Sequence, residues 1–319
     1  MRLTRSPAEQ QVTVVGSDAS TPLAVTLPQR MESEVQGSAS VRIAGKLEGS
    51  CTVQAVGDID AVGTLRGAYL DLESTGGRVD VRRGMEGVSS VRAATGLACA
   101  RAMGERVTLR TAAGALHVGA AFGDITLEHT APAAAPGAAS APPASVFLGG
   151  AHGSAHVFSA SAPVVARGIT GRLRVTGAPA ACTAQFDSLR GDSSLDNVQG
   201  SVTVHVCPPV SLRLQVAAGG GLHVFPGPGG SYVDGLLVSA ASGAAPEAGR
   251  EGAGEGAGSG QGGSGKIREG SAITGWWNYS EGAAGGSGPS TLSISCQGEA
   301  RVYVQSYAEK LQAVAAQAK

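Results

Sequence analysis

Little in this chain is large or charged. Of its 319 residues, aromatics make up 4% and charged residues 15%, against roughly 25% charged in an ordinary soluble domain. A wide core needs bulky side chains to fill it, so the shortage of Phe, Tyr and Trp points to thin layers packed through Val, Leu, Ile and Ala. The formal charge is −1, from 24 Lys and Arg against 25 Asp and Glu. That balance gives no electrostatic reason for a nucleic-acid or anionic-membrane partner. No apolar run approaches the roughly 18–20 residues that cross a bilayer, so no membrane span is expected.

Cysteine is also scarce. The five are Cys51, Cys99, Cys182, Cys207 and Cys296, an odd number at wide spacing with no CxxC. A disulfide framework would be denser and even, so buried reduced thiols in an intracellular protein are expected. Met1–Gln10 has no apolar stretch, which argues against a secretory signal. Arg2 and Arg5 fit a mitochondrial presequence, whereas Glu9 and the strand-like Val12–Val15 do not.

Glycine is abundant, at 49 residues, beside 15 prolines. No G-X-Y period runs through the chain, so collagen is excluded. From Gly67 the glycines recur at Gly77, Gly87, Gly96, Gly104, Gly114 and Gly123, in steps of 10, 10, 9, 8, 10 and 9. Most are followed by apolar residues two apart: Val79/Val81, Leu97/Cys99, Val107/Leu109, Leu116/Val118 and Ile125/Leu127. Alternation at period two is the mark of a half-buried strand. Sandwiches also place strands every 8–12 residues, but a uniform step suits stacked coils of constant rise. Glycine allows the sharp corners and the close backbone approach that such a stack requires.

The pattern returns at Gly171 with Leu173/Val175 and at Gly200 with Val202/Val204/Val206. The expected fold is therefore all-β: a single-stranded β-solenoid, a β-helix-like stack of short strands at 9–10-residue steps. Residues 1–37 form an N-terminal segment and cap, and 38–238 the repeats. Residues 131–145, made only of Ala, Pro, Gly and Ser, form a loop insertion. The Gly-rich 239–270 is a disordered linker. Residues 271–319 hold closing strands and a short C-terminal capping helix over Ala308–Lys319, since a solenoid must cover its open end.

Catalytic motifs are mostly missing. No Ser has Gly on both sides at two residues' distance, so there is no nucleophile elbow. No Gly-Lys-Ser/Thr exists for a P-loop, and the GxGxxG at Gly258–Gly263 lies in low-complexity sequence with no preceding strand. His152 and His156 would share a face only on a helix, which the neighbouring glycines oppose. His205 and Cys207, two apart on one strand, would share a face and are metal-capable, yet no third ligand can be named. The pairs Gly57-Asp58, Gly123-Asp124 and Gly191-Asp192 stand at strand starts. Their regular position favours turn chemistry, while Asp58, Asp60 and Asp71 would form an acidic strip if coils stack in register. Arg78, Arg82, Arg83, Arg92, Arg101, Arg106 and Arg110 give the first half a local basic bias. Trp276 and Trp277 are the only tryptophans. With Tyr279 they are the candidate partner-binding residues, because one of two adjacent strand residues faces outward.

The units Gly123-Asp-Ile-Thr-Leu127, Gly171-Arg-Leu-Arg-Val175 and Gly200-Ser-Val-Thr-Val204 resemble the adhesin-type β-solenoid domain family of bacteria and eukaryotes. The resemblance spans roughly residues 38–307. It implies a solenoid, no catalytic residues, and a hint of mitochondria. The expected function is a non-enzymatic interaction or scaffold protein, intracellular and mitochondrial or otherwise cytoplasmic. It would present strand faces to a protein partner and self-associate through its ends, without cofactor or metal. The alternative is a glycan-binding or glycan-active β-helix.

Overall fold

The computed structural model describes residues 2–6, 11–16, 30, 32–130, 144–207, 212–220, 222–225, 237–240, 265–267, 271–277 and 290–304. Every regular element among them is a β-strand. No helix among them is long and apolar enough to cross a membrane. The helix expected at Ala308–Lys319 and most of the Gly-rich linker lie outside the described residues.

The chain winds into a parallel β-solenoid, as its patterning predicts. Each coil carries three short strand segments, here the first, second and third face. One row of the first face defines the stack: Val35, Val53, Leu72, Val91, Leu109, Leu127, Val157 and Val175 follow one another in register. The second face stacks Ile59, Val79, Leu97, Leu116, Val146, Val164, Cys182 and Val202. The third stacks Leu47, Leu65, Met85, Ala102 and Ala121, then Ala151, Ile169 and Phe186. Apart from the half-buried Val35, these rows are buried and meet along a narrow axis. Phe186 is the largest fully buried side chain, whereas Phe122, Phe147 and Phe158 stand at outward positions. The low aromatic content is thus the composition of a thin interior.

Successive coils are separated by 18 to 20 residues. The glycine step of nine or ten is therefore half a coil, and the glycines belong to two ladders. At the corner between the third and first faces, Gly49, Gly67, Gly87, Gly104, Gly123, Gly153 and Gly171 stack directly. A Cβ on any of the last six would run into the carbonyl of the glycine below. Gly87 and Gly123 also have φ of 127° and 100°, where a side chain is strained. At the corner between the first and second faces, Gly77 lies over Gly57, and Gly298 over Gly200.

After Thr130 the register resumes at Ser145, where Ser145–Leu148 pairs with the strand Ala115–His129. Among the described residues the sequence order of the stack breaks near its end. Ser193–Val198 pairs with Ser290–Cys296, and Ser290–Cys296 with Leu212–Ala218, all in parallel. On the second face Val202–Val206 pairs with Ala300–Val304, which pairs with Leu222–Phe225. The segment 290–304, expected among the closing strands, is thus the penultimate coil, threaded between two coils that precede it in the chain. Antiparallel strands sit beyond the parallel rungs. Arg2–Ser6 pairs with Gln11–Gly16 at the N-terminal end. Ser271–Trp277 pairs with both Leu212–Ala218 and Leu237–Ala240 at the other.

Candidate functional site

The outward residues form rows as regular as the core, and most of the charge in them is neutralised between coils. On the first face Glu73, Arg92, Arg110 and Glu128 stack in register. Arg92 pairs with Glu73 at 3.7 Å, and Arg110 Nε with Glu128 at 2.6 Å. On the third face Glu48, Arg66 and Glu86 alternate in sign, with Arg66 Nε 2.6 Å from Glu86. Arg101 lies over the Phe122 ring, 5.0 Å from its centroid. The arginine bias of the first half is therefore largely cancelled locally.

The acidic strip does not form. Asp60 and Asp80 stack on the second face, but Arg42 and Arg82 flank Asp60 at 3.6 and 2.9 Å. Asp71 lies on the first face between Thr52 and Ser90. Two of the three Gly-Asp pairs bond backbone, though across coils and not within their own turns. Asp58 Oδ1 accepts from the Arg78 N–H at 2.8 Å, while the Asp58 N–H donates to Ser40 Oγ at 3.0 Å. Asp192 Oδ1 accepts from the Thr291 N–H at 3.0 Å.

His205 and Cys207 do not share a face. The strand ends at Val206 and the chain turns its corner, so Cys207 enters the core. His205 stays outward, its ring stacked on Tyr303 at 4.8 Å and 10°. Among the described residues no group of three or more His, Cys, Asp or Glu could hold a metal ion. His156 and His152 also separate. His156 is on the first face, with Nε2 3.0 Å from Thr176 Oγ1, and His152 is on the third. Trp276 and Trp277 stand at the end of Ser271–Trp277, opposite Arg213 and Leu212. Tyr279 lies outside the described residues.

The structure offers one concave feature that the sequence reading missed. A groove of about 520 Å³ opens where the third face meets the first, lined by His152, Ser154, Thr170, Arg172 and Arg190. Gly153 and Gly171 of the glycine ladder form its floor. The His152 ring stacks on Phe122 at 4.8 Å and 11°. Its Nδ1 is 2.6 Å from Thr170 Oγ1, which also lies 3.2 Å from the Ala151 carbonyl oxygen. Ser154 pairs with Arg172, and Gly171 with Leu189, so Arg190 follows Arg172 on the next coil. No acidic residue lines the groove. A signal was present: at a coil length of 18 residues, His152 meets Thr170 and Arg172 meets Arg190.

No family model matches this sequence, and no curated protein or solved structure matches it significantly.

Proposed function

We propose that this protein is a non-enzymatic scaffold, an adhesin-like β-solenoid whose outward strand faces bind a protein partner. The observation that carries this reading is the in-register neutralisation of those faces. Rows such as Glu73–Arg92–Arg110–Glu128 give an extended, closely packed surface of low net charge. Such a surface suits docking to another protein and gives little attraction for nucleic acid. Asp58 and Asp192 are engaged with backbone and Asp60 with arginines. That supports a role without acid–base catalysis, since a general acid or base must be able to reach substrate. Neither cofactor nor metal is part of this reading. Self-association proceeds through the solenoid ends, and Trp276, Trp277 and Tyr279 remain the candidate partner-binding residues there.

The order of parts, with repeats followed by an Ile273-Thr274-Gly275 segment and closing strands, is similar to that of the eukaryotic protein called "family with sequence similarity 185, member A". A mitochondrial location, or otherwise a cytoplasmic one, belongs to the same proposal. Proximity labelling by the full chain in cells tests compartment and partner together. Recovery of one reproducible neighbour that binds the purified chain directly supports the scaffold. Labelling no richer than that of an untethered labelling enzyme counts against it.

A second reading, a glycan-binding or glycan-active solenoid, draws on the outward ring stacks Phe122–His152 and His117–Phe147, the latter 4.5 Å apart. Exposed ring faces are platforms for apolar faces of sugars. A glycan array and a hydrolysis screen that both stay blank remove this reading.

A further inference from the structure

Arg172 and Arg190 stand side by side on adjacent coils, because the residues before them, Gly171 and Leu189, are paired in register. Neighbouring strands are about 4.8 Å apart, and like charges directly opposed destabilise a sheet. Where like charges meet elsewhere in the stack, opposite charges bracket them. Arg92 and Arg110 lie between Glu73 and Glu128, and Asp60 and Asp80 lie beside Arg42 and Arg82. Neither Arg172 nor Arg190 forms an ion pair among the described residues. The nearest acid in sequence, Asp192, gives Oδ1 to the Thr291 N–H.

The groups around this pair are held in place. The Arg172 guanidinium packs against Gly191, where a Cβ would stand 2.6 Å from Nε, and Gly191 has φ of 90°. The His152 ring is fixed by Phe122 on one side and by Thr170 at Nδ1. The Thr170 hydroxyl donates to the Ala151 carbonyl at 3.2 Å, so its Oγ1 accepts from Nδ1–H and the neutral ring presents Nε2 as an acceptor. The groove thus collects two guanidiniums and the Ser154 hydroxyl beside the His152 ring, with no carboxylate among its lining residues.

We infer that this groove is a binding site for a tetrahedral oxyanion, a phosphate dianion taken either free or as a monoester. Guanidinium forks bind pairs of oxygens, and a tetrahedral dianion offers a pair to each of two forks at once, whereas a carboxylate fills one. The dianion neutralises the Arg172–Arg190 pair, which no acid among the described residues does. Its volume of about 520 Å³ leaves space beside the phosphoryl group for the organic part of an ester.

The test uses the full chain. Inorganic phosphate, and in a second arm phosphoserine, is titrated against chloride at matched ionic strength. Binding is read from the His152 ring-proton shifts and from the melting temperature. The expected result is saturation with Kd of about 1 mM or tighter, together with a rise in melting temperature. R172Q/R190Q lowers the affinity at least tenfold without lowering the melting temperature, since it removes a like-charge contact. R190Q alone, altering an exposed side chain, lowers it in the same direction. R110Q, whose arginine pairs with Glu128 on the first face, binds as the parent does. Phosphoserine binding tighter than phosphate identifies an ester carried by another molecule, and equal binding identifies the free ion. A response matched by chloride, unchanged in R172Q/R190Q, or without a His152 shift overturns the assignment.

Discussion

Asp192 accepts a hydrogen bond from the backbone N–H of Thr291 at 3.0 Å, across 99 residues of sequence. Several coils away, near the other end of the stack, the relation repeats between Asp58 and Arg78, which are 20 residues apart. The same device therefore joins coils that are consecutive and coils that are not. At the C-terminal end it fastens the threaded segment 290–304 to the coil beneath it. Ser290 adds a second tie there, its Oγ accepting from the Gly191 N–H at 3.0 Å.

Replacing Asp192 with Ala should loosen that segment selectively. The side chain is exposed, so the loss of local stability is about 1 kcal/mol or less. Hydrogen exchange should quicken at Thr291–Cys296 and stay unchanged at Leu109 or Leu127. Uniform acceleration over the whole stack would contradict a local fastening role.

The glycine ladder gives a matched pair of substitutions. Gly87→Ala places a Cβ against the Gly67 carbonyl at a φ of 127°, and should cost about 2 kcal/mol or more. Gly45 has nothing within 4 Å of a built Cβ and no positive φ. Gly45→Ala should therefore be neutral or stabilise by up to about 1 kcal/mol, by restricting the unfolded chain. Denaturant midpoints of the two variants check both directions, and similar losses in both would refute the ladder.

His129 predicts an acid-side weakening of the fold. It is fully buried between Thr111 and Ser159. Desolvation holds its pKa below the ordinary 6.5, with the Gly114 and His129 carbonyls opposing the shift from outside hydrogen-bond geometry. The unfolded chain thus takes up the proton first. This contribution to stability is complete above about pH 6.5 and declines as pH falls below it. His129→Gln should flatten that part of the melting-temperature profile between about pH 7.5 and about pH 5.5, roughly one unit on either side of the ordinary histidine pKa. An unaltered profile would place the titrating group elsewhere.

The five cysteines are buried, and burial pushes the thiols of Cys99 and Cys182 up to about 12 and Cys296 to about 11. The thiolate is the reactive form, so a thiol reagent at neutral pH should label them only after denaturant is added. Because these thiols ionise first in the unfolded chain, their contribution to stability is intact below the ordinary value of 9.0 and is lost as pH rises above it. Rapid native labelling of Cys99 or Cys182 would contradict the packed interior.

Much of this architecture was legible from pattern alone. Val79/Val81 and Leu116/Val118 alternate because only inward side chains of a thin stack need to be apolar. Spacing could not show that Gly77 and Gly87 occupy different corners, since a half-coil and a whole coil both end in glycine. Nor could it show where Leu292 and Ile294 belong, because a threaded rung carries the same alternation as a sequential one. The groove was obscured for a related reason. Sequence pairs His152 with His156, its neighbour along the chain, while its neighbours in the groove are one coil away at Thr170 and Phe122.

The threaded coil also orders events in time. A ribosome delivers residues 212–225 long before 290–304. The coils up to Val206 can wind as they emerge, but the next position in the stack stays vacant until the last strands are synthesised. Until then Leu212–Ala218 has no parallel neighbour to rest upon. Truncated nascent chains ending near residue 289 should therefore protect the coils through Val206 from protease and leave 212–225 open to cleavage.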